Sequence, residues 1–188
     1  MRQIPNILTI IRILLIPVFL WLIFFSPNRH YVAWSLLVFV VAAFTDFWDG
    51  YLARKWNVIS DFGKIADPLA DKLLVLSALA ALTWHPQSPY KLWLWIFIVI
   101  AFREAFITIL REIHKKKGII MPADKLGKWK TFLQMVGIIV TFALWALLPE
   151  AAPKFSLAAN LWFGAVALLT LYSGLNYLKP GKKPVGKE

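Results

Sequence analysis

Four aspartates, Asp46, Asp49, Asp67 and Asp71, are spaced so that two helices could hold an oxygen-bound ion between them. Asp46 and Asp49 are three residues apart and Asp67 and Asp71 four apart, so each pair shares one face of a helix. A short connection, roughly 54–65, makes the two helices antiparallel neighbours on which the pairs converge. An ionised Asp deep in a bilayer costs about 2.5–3.5 kcal/mol, and four would cost on the order of 10–14 kcal/mol without neutralisation. Carboxylates with no His or Cys beside them form a hard oxygen site, suited to Mg²⁺ or Mn²⁺ and open to Ca²⁺. With two cations the pairs could clamp the attacking and leaving oxygens of a phosphoryl transfer. Structural roles compete with this reading. Asp67 precedes Pro68, a good N-cap followed by proline at the first helical position. Asp46 and Asp49 could instead pair with Arg54 or Lys55. Gly50 and Ala53, beside the first pair, permit close approach of a ligand or simply of a neighbouring helix. Arg54 can fork onto a phosphate.

The elements that position these residues are apolar. The 188 residues are 60% hydrophobic with a mean hydropathy of +0.65, where a soluble domain is about half apolar. Six runs, roughly 6–26, 31–53, 66–84, 91–113, 125–148 and 155–178, approach the ~20 residues a membrane-spanning helix needs. Charges interrupt the second, third and fourth. The expected fold is all-α, a polytopic integral membrane protein with six transmembrane helices. Residues 1–178 read as one transmembrane domain and 179–188 as a basic, flexible tail. The first run holds Arg12 and Pro17 and lacks a clear small-residue cleavage site, unlike a signal peptide. Period-two alternation, the mark of a β-barrel, is absent. The chain has no cysteine, which excludes disulfides, thiolate metal sites and cysteine nucleophiles. A net charge of +11 fits basic loops beside anionic lipid better than nucleic acid.

Lys and Arg favour the cytoplasmic side. With the N-terminus inside and six spans, 18 of the 21 basic residues fall on the inner side, leaving Arg29, Lys91 and Lys154 outside. Both termini and the aspartates are therefore expected to face the cytoplasm. His30 and His85 lie at the opposite side and are excluded as ligands; His114 sits among the inner basic residues.

The run Asp-x2-Asp-Gly-x2-Ala-Arg-x8-Gly-x3-Asp-x3-Asp, from Asp46 to Asp71, resembles the signature of the CDP-alcohol phosphotransferases at every fixed position. Pro5-Asn6-x-Leu8-Thr9-x2-Arg12, Arg103-Glu104, Arg111-Glu112 and Gly127-Lys128-x-Lys130-Thr131-x2-Gln134 narrow the resemblance to bacterial members that use sn-glycerol 3-phosphate. The resemblance implies a six-helix fold, usually homodimeric, in the bacterial inner membrane with a cavity open to the cytoplasm. It implies two divalent metal ions, Mg²⁺ or Mn²⁺, on Asp46, Asp49 and Asp67 with Asp71 close by, and Asp71 as general base. Gly50, Ala53, Arg54 and Gly63 would border the cytidine nucleotide, and Asn6 and Thr9 would reach the CDP moiety. The implied reaction joins CDP-diacylglycerol to sn-glycerol 3-phosphate and releases CMP.

A phosphorylated acceptor requires a cationic pocket. Arg111, Lys128 and Lys130 are the strongest phosphate ligands, with Arg103 behind them because a buried pair with Glu104 or a site Asp competes for it. Lys115, Lys116 and Lys117 read as a solvated loop facing lipid head groups. The nearest rival keeps the chemistry with serine, inositol phosphate or a phospholipid as acceptor. A divalent-cation transporter would need an outward route, and the outer loops lack polar residues to form its mouth. A scaffold without catalysis leaves the four aspartates unexplained.

Overall fold

A computed structural model describes residues 4–56, 61–116 and 125–175; the side chains of 4–6, 46–56, 61–65, 67, 68, 115, 116, 125, 126, 128 and 175 lie outside the described residues. Each apolar run forms one helix: α1 Ile4–Phe25, α2 Tyr31–Trp56, α3 Asp61–Trp84, α4 Leu94–Lys116, α5 Lys125–Leu147 and α6 Ser156–Leu175, with a 3-10 turn Ala152–Phe155 before α6. Among the described residues there is no strand. The competing N-cap role for Asp67 does not hold. The helix already starts at Asp61, so Asp67 lies well inside it, and Gly63 is tolerated within the first turn.

By length and hydropathy three segments among the described residues can cross a membrane: Ile7–Phe25, Trp129–Leu147 and Ala152–Gly174. In α2 the apolar stretch among the described residues is Tyr31–Thr45. The outside of the bundle is nonetheless as oily as its inside. Phe102 on α4 and Leu147 on α5 are 68% and 75% exposed, and Trp21, Phe44, Leu69 and Leu168 are exposed on the other helices. An apolar perimeter on every helix is the surface lipid requires.

The helices α1, α2 and α5 meet on three buried rings. Phe19 packs on Phe39 and Phe142 with centroids 6.1 and 5.9 Å apart, each such pair adding about 0.5–1.5 kcal/mol beyond burial. Helix α3 runs against α1, α2, α4 and α5. It buries Ala70, Ala78 and Ala81 with Leu74, Leu79 and Leu82, small residues that let backbones close on one another. Gly137 serves the same end between α5 and α6: a Cβ there would stand 2.5 Å from Nε1 of Trp162, whose indole N–H donates to the Leu133 carbonyl at 3.2 Å.

The α3–α4 loop is tied down at one end of the bundle. Tyr90 donates to the Thr141 carbonyl at 2.9 Å. Ser156 donates to the Tyr90 carbonyl at 2.7 Å, and Asn160 accepts from the Trp93 amide at 2.8 Å. Lys91 takes a left-handed backbone, φ 43°, and its ammonium donates to the carbonyls of His85 and Pro86 at 2.9 and 2.7 Å. With this end fixed to α5 and α6, the opposite halves of α3, α4 and α5 are held in register where the charged residues lie.

Candidate active site

Three helices bring polar residues to one small pocket. Asp71, Lys72 and Val75 come from α3, Glu104 from α4, and Lys130, Thr131 and Gln134 from α5; together they enclose about 20 Å³. Helical spacing explains the grouping, since Asp71 and Val75, and Lys130 and Gln134, are one turn apart on their helices. Thr108, one turn beyond Glu104, donates to the Glu104 carbonyl at 2.6 Å and receives the Lys72 ammonium on the same oxygen.

Glu104 is the electrostatic centre of this region. Its carboxylate accepts from the Lys130 ammonium and from Nη1 of Arg103, the latter at 3.3 Å. The second guanidinium nitrogen, Nη2, donates to Ser173 of α6 at 3.0 Å, and Ser173 donates in turn to the Thr170 carbonyl at 3.0 Å. Lys130, Arg103 and Glu104 are all buried. Burying charges of both signs is tolerable only because they share hydrogen bonds. Among the described side chains here, Lys72, Lys130 and Arg103 oppose Asp71 and Glu104. The balance is one positive charge, and it suits an anionic ligand.

The residues singled out from the sequence divide as follows. Asp71 and Lys130 line the pocket. Arg103 is engaged by Glu104 and Ser173, the buried pairing that competed with a substrate role. Arg111 is exposed in the last turns of α4, outside the pocket lining but near enough to Lys72 for their charges to interact. Thr9 is buried on α1 next to a fully buried Arg12 one turn on. Asn6 lies on α1, Asp46, Asp49, Gly50, Ala53 and Arg54 on α2, Gly63 and Asp67 on α3, and Lys128 on α5; their side chains lie outside the described residues. Of the four aspartates only Asp71 is therefore described to its carboxylate. Among the described residues no three His, Cys, Asp or Glu side chains gather.

Glu104, Lys72 and Gln134 were not marked as site residues from the sequence. The signals were present: Glu104 adjoins Arg103, Lys72 follows Asp71, and Gln134 falls one turn after Lys130. A larger cavity of about 230 Å³ lies between α5 and α6, with Tyr90, Gly137, Thr141 and Trp162 in its wall. It is almost wholly apolar and holds no acid or base that could act on a phosphate.

Comparison with known proteins adds a family. The family model for CDP-alcohol phosphatidyltransferase matches residues 2–172. A Rickettsia typhi protein named CDP-diacylglycerol–glycerol-3-phosphate 3-phosphatidyltransferase is 35% identical over 97% of this chain and 98% of its own length. A protein of the same name from Cereibacter sphaeroides is 44% identical over 74% of this chain and 63% of its own. A Streptomyces coelicolor protein named cardiolipin synthase (CMP-forming) is 41% identical over 69% of this chain and 60% of its own.

Proposed function

This chain belongs to the CDP-alcohol phosphatidyltransferase family, and from that premise we propose that it transfers the phosphatidyl group of CDP-diacylglycerol to sn-glycerol 3-phosphate, giving phosphatidylglycerophosphate and CMP. The observation that carries the reading is the pocket in which Asp71 stands beside Lys72 and Lys130. A carboxylate able to take a proton adjoins cations able to hold a phosphate. The names of the Rickettsia typhi and Cereibacter sphaeroides relatives support the choice of substrates.

In this mechanism Asp71 accepts the proton of the 1-hydroxyl of glycerol 3-phosphate. The hydroxyl oxygen attacks the phosphorus that bears the lipid, the bond from that phosphorus to the CMP oxygen breaks, and CMP departs. Arg111, Lys128 and Lys130, with Arg103 behind them, hold the acceptor phosphate. Asn6, Thr9, Gly50, Ala53, Arg54 and Gly63 border the cytidine diphosphate. Asp46, Asp49, Asp67 and Asp71 fit a pair of Mg²⁺ or Mn²⁺ ions, because the donors are all carboxylate oxygens on two helices that pack together. Bound there, such ions would supply positive charge against the pyrophosphate.

The same reading places all six helices across a bacterial inner membrane as one domain, 1–178, with residues 179–188 as a cytoplasmic tail. Both termini and the site face the cytoplasm, and the working unit is a homodimer. The skew of basic residues supports the orientation. A membrane site also keeps the acyl chains of the donor in lipid while its head group enters the polar end of the bundle.

Purified protein supplied with CDP-diacylglycerol and Mg²⁺ or Mn²⁺ should release CMP with glycerol 3-phosphate, and a chelator should stop it. A phospholipid acceptor is the second reading, favoured by the cardiolipin synthase relative. CMP release with phosphatidylglycerol or serine but not with glycerol 3-phosphate would reject the acceptor proposed here.

A further inference from the structure

We infer that Gln134 reads the secondary hydroxyl of the acceptor, donating a hydrogen bond from its side-chain amide to that oxygen. The inference rests on the transferase reading above and goes beyond it by naming what distinguishes a polyol phosphate from a simple alcohol phosphate. Gln134 is only 2% exposed, and its Nε2 has no hydrogen-bond partner. Its side chain lines the pocket that holds Asp71. A buried amide donor without an acceptor is costly and uncommon in a native protein. An oxygen that arrives with the substrate removes that cost.

Size and charge select the kind of oxygen. A cavity of about 20 Å³ has room for one water-sized group, with the acceptor phosphate outside it beside the cations assigned to it above. Lys130 is hydrogen-bonded to Glu104 and Lys72 to Thr108. What the pocket leaves to be satisfied is a neutral donor, which suits an alcohol oxygen. Register then says which alcohol. Gln134 lies one turn deeper along α5 than Lys130, and Val75 one turn deeper along α3 than Asp71, so the amide sits at the floor of the pocket. With the reacting primary hydroxyl at Asp71, the group that reaches the floor is the hydroxyl on the neighbouring carbon.

The test compares sn-glycerol 3-phosphate with 3-hydroxypropyl phosphate, which lacks only that hydroxyl, by kcat/KM for CMP release. The wild-type protein should prefer glycerol 3-phosphate by about tenfold or more, since a site built to bond a hydroxyl leaves its donor stranded when the hydroxyl is missing. In Gln134→Met, which keeps the volume and removes the donor, the preference should fall to within about threefold, by loss of rate with glycerol 3-phosphate alone. Equal loss with both acceptors would mark Gln134 as structural and overturn the inference. Equal use of the two acceptors by the wild-type protein would overturn it without any variant, so a poorly folding Gln134→Met does not shield it. No CMP from the wild-type protein with either acceptor would instead overturn the function on which it rests.

Discussion

Glu104 accepts both Arg103 and Lys130 on one carboxylate in a buried setting. Removing one member of such a group costs far more than removing a whole pair, because the charges left behind remain desolvated. Glu104→Gln should therefore lower stability by about 3–5 kcal/mol, read as a fall in the thermal midpoint in detergent. The double variant Glu104→Gln, Lys130→Met should recover part of it, since one of the stranded charges is gone. A midpoint unmoved by Glu104→Gln would show that Lys130 and Arg103 do not depend on their shared acid. At this scale the sequence was readable at Asp71 and Lys130, which line one pocket. It was not readable where a partner comes from a distant helix. Nothing local announces that Ser173 will receive the Arg103 guanidinium, or that the Gln134 amide will be buried beside Asp71, because both depend on how α3, α4, α5 and α6 pack.

The helices themselves followed from the runs of apolar residues, and each run holds one helix. The differences lie at the ends. Helix α3 starts at Asp61 and takes Asp67 into its interior, since an Asp-Pro pair marks a helix start only when the preceding residues are not already helical. At the far end of the bundle the element contacts are aromatic. The His85 ring lies 5.6 Å from Phe24, 5.5 Å from Tyr31 and 5.3 Å from Trp145, so the loop after α3 clamps α1, α2 and α5. Its Nδ1 accepts from the Gln87 amide at 3.1 Å. Burial pushes the ring below the usual imidazole value of 6.5, against the raising effect of a backbone bond to Ile23, and Lys91 adds the least, also lowering it. Because the folded value is the lower one, the unfolded chain takes up the proton first as pH falls. The stability this neutral ring contributes is complete above about 6.5 and declines below it, levelling off once the folded ring is protonated too. The thermal midpoint should drop between pH 7 and pH 5, and the drop should be smaller in His85→Gln. Identical pH profiles for the two proteins would remove His85 from this account.

At the scale of the molecule, the bundle presents lipid-compatible surface on all its helices and gathers its buried charges towards one end. Among the described residues three helices meet the length and hydropathy of a membrane span. Orientation is argued from the basic residues. The absence of cysteine makes that argument easy to check. A single cysteine at Lys154, exposed ahead of α6, should react with an impermeant maleimide on intact spheroplasts, and one at Lys183 only after lysis. The reverse pattern would turn the topology over. The most direct test of the whole account is CMP release from CDP-diacylglycerol and glycerol 3-phosphate by folded Asp71→Asn protein beside wild type. Loss of the base should cut kcat by about 10²-fold or more while the fold and thermal midpoint persist. A variant that turns over within a few-fold of wild type would contradict the claim that Asp71 takes the acceptor's proton in that pocket.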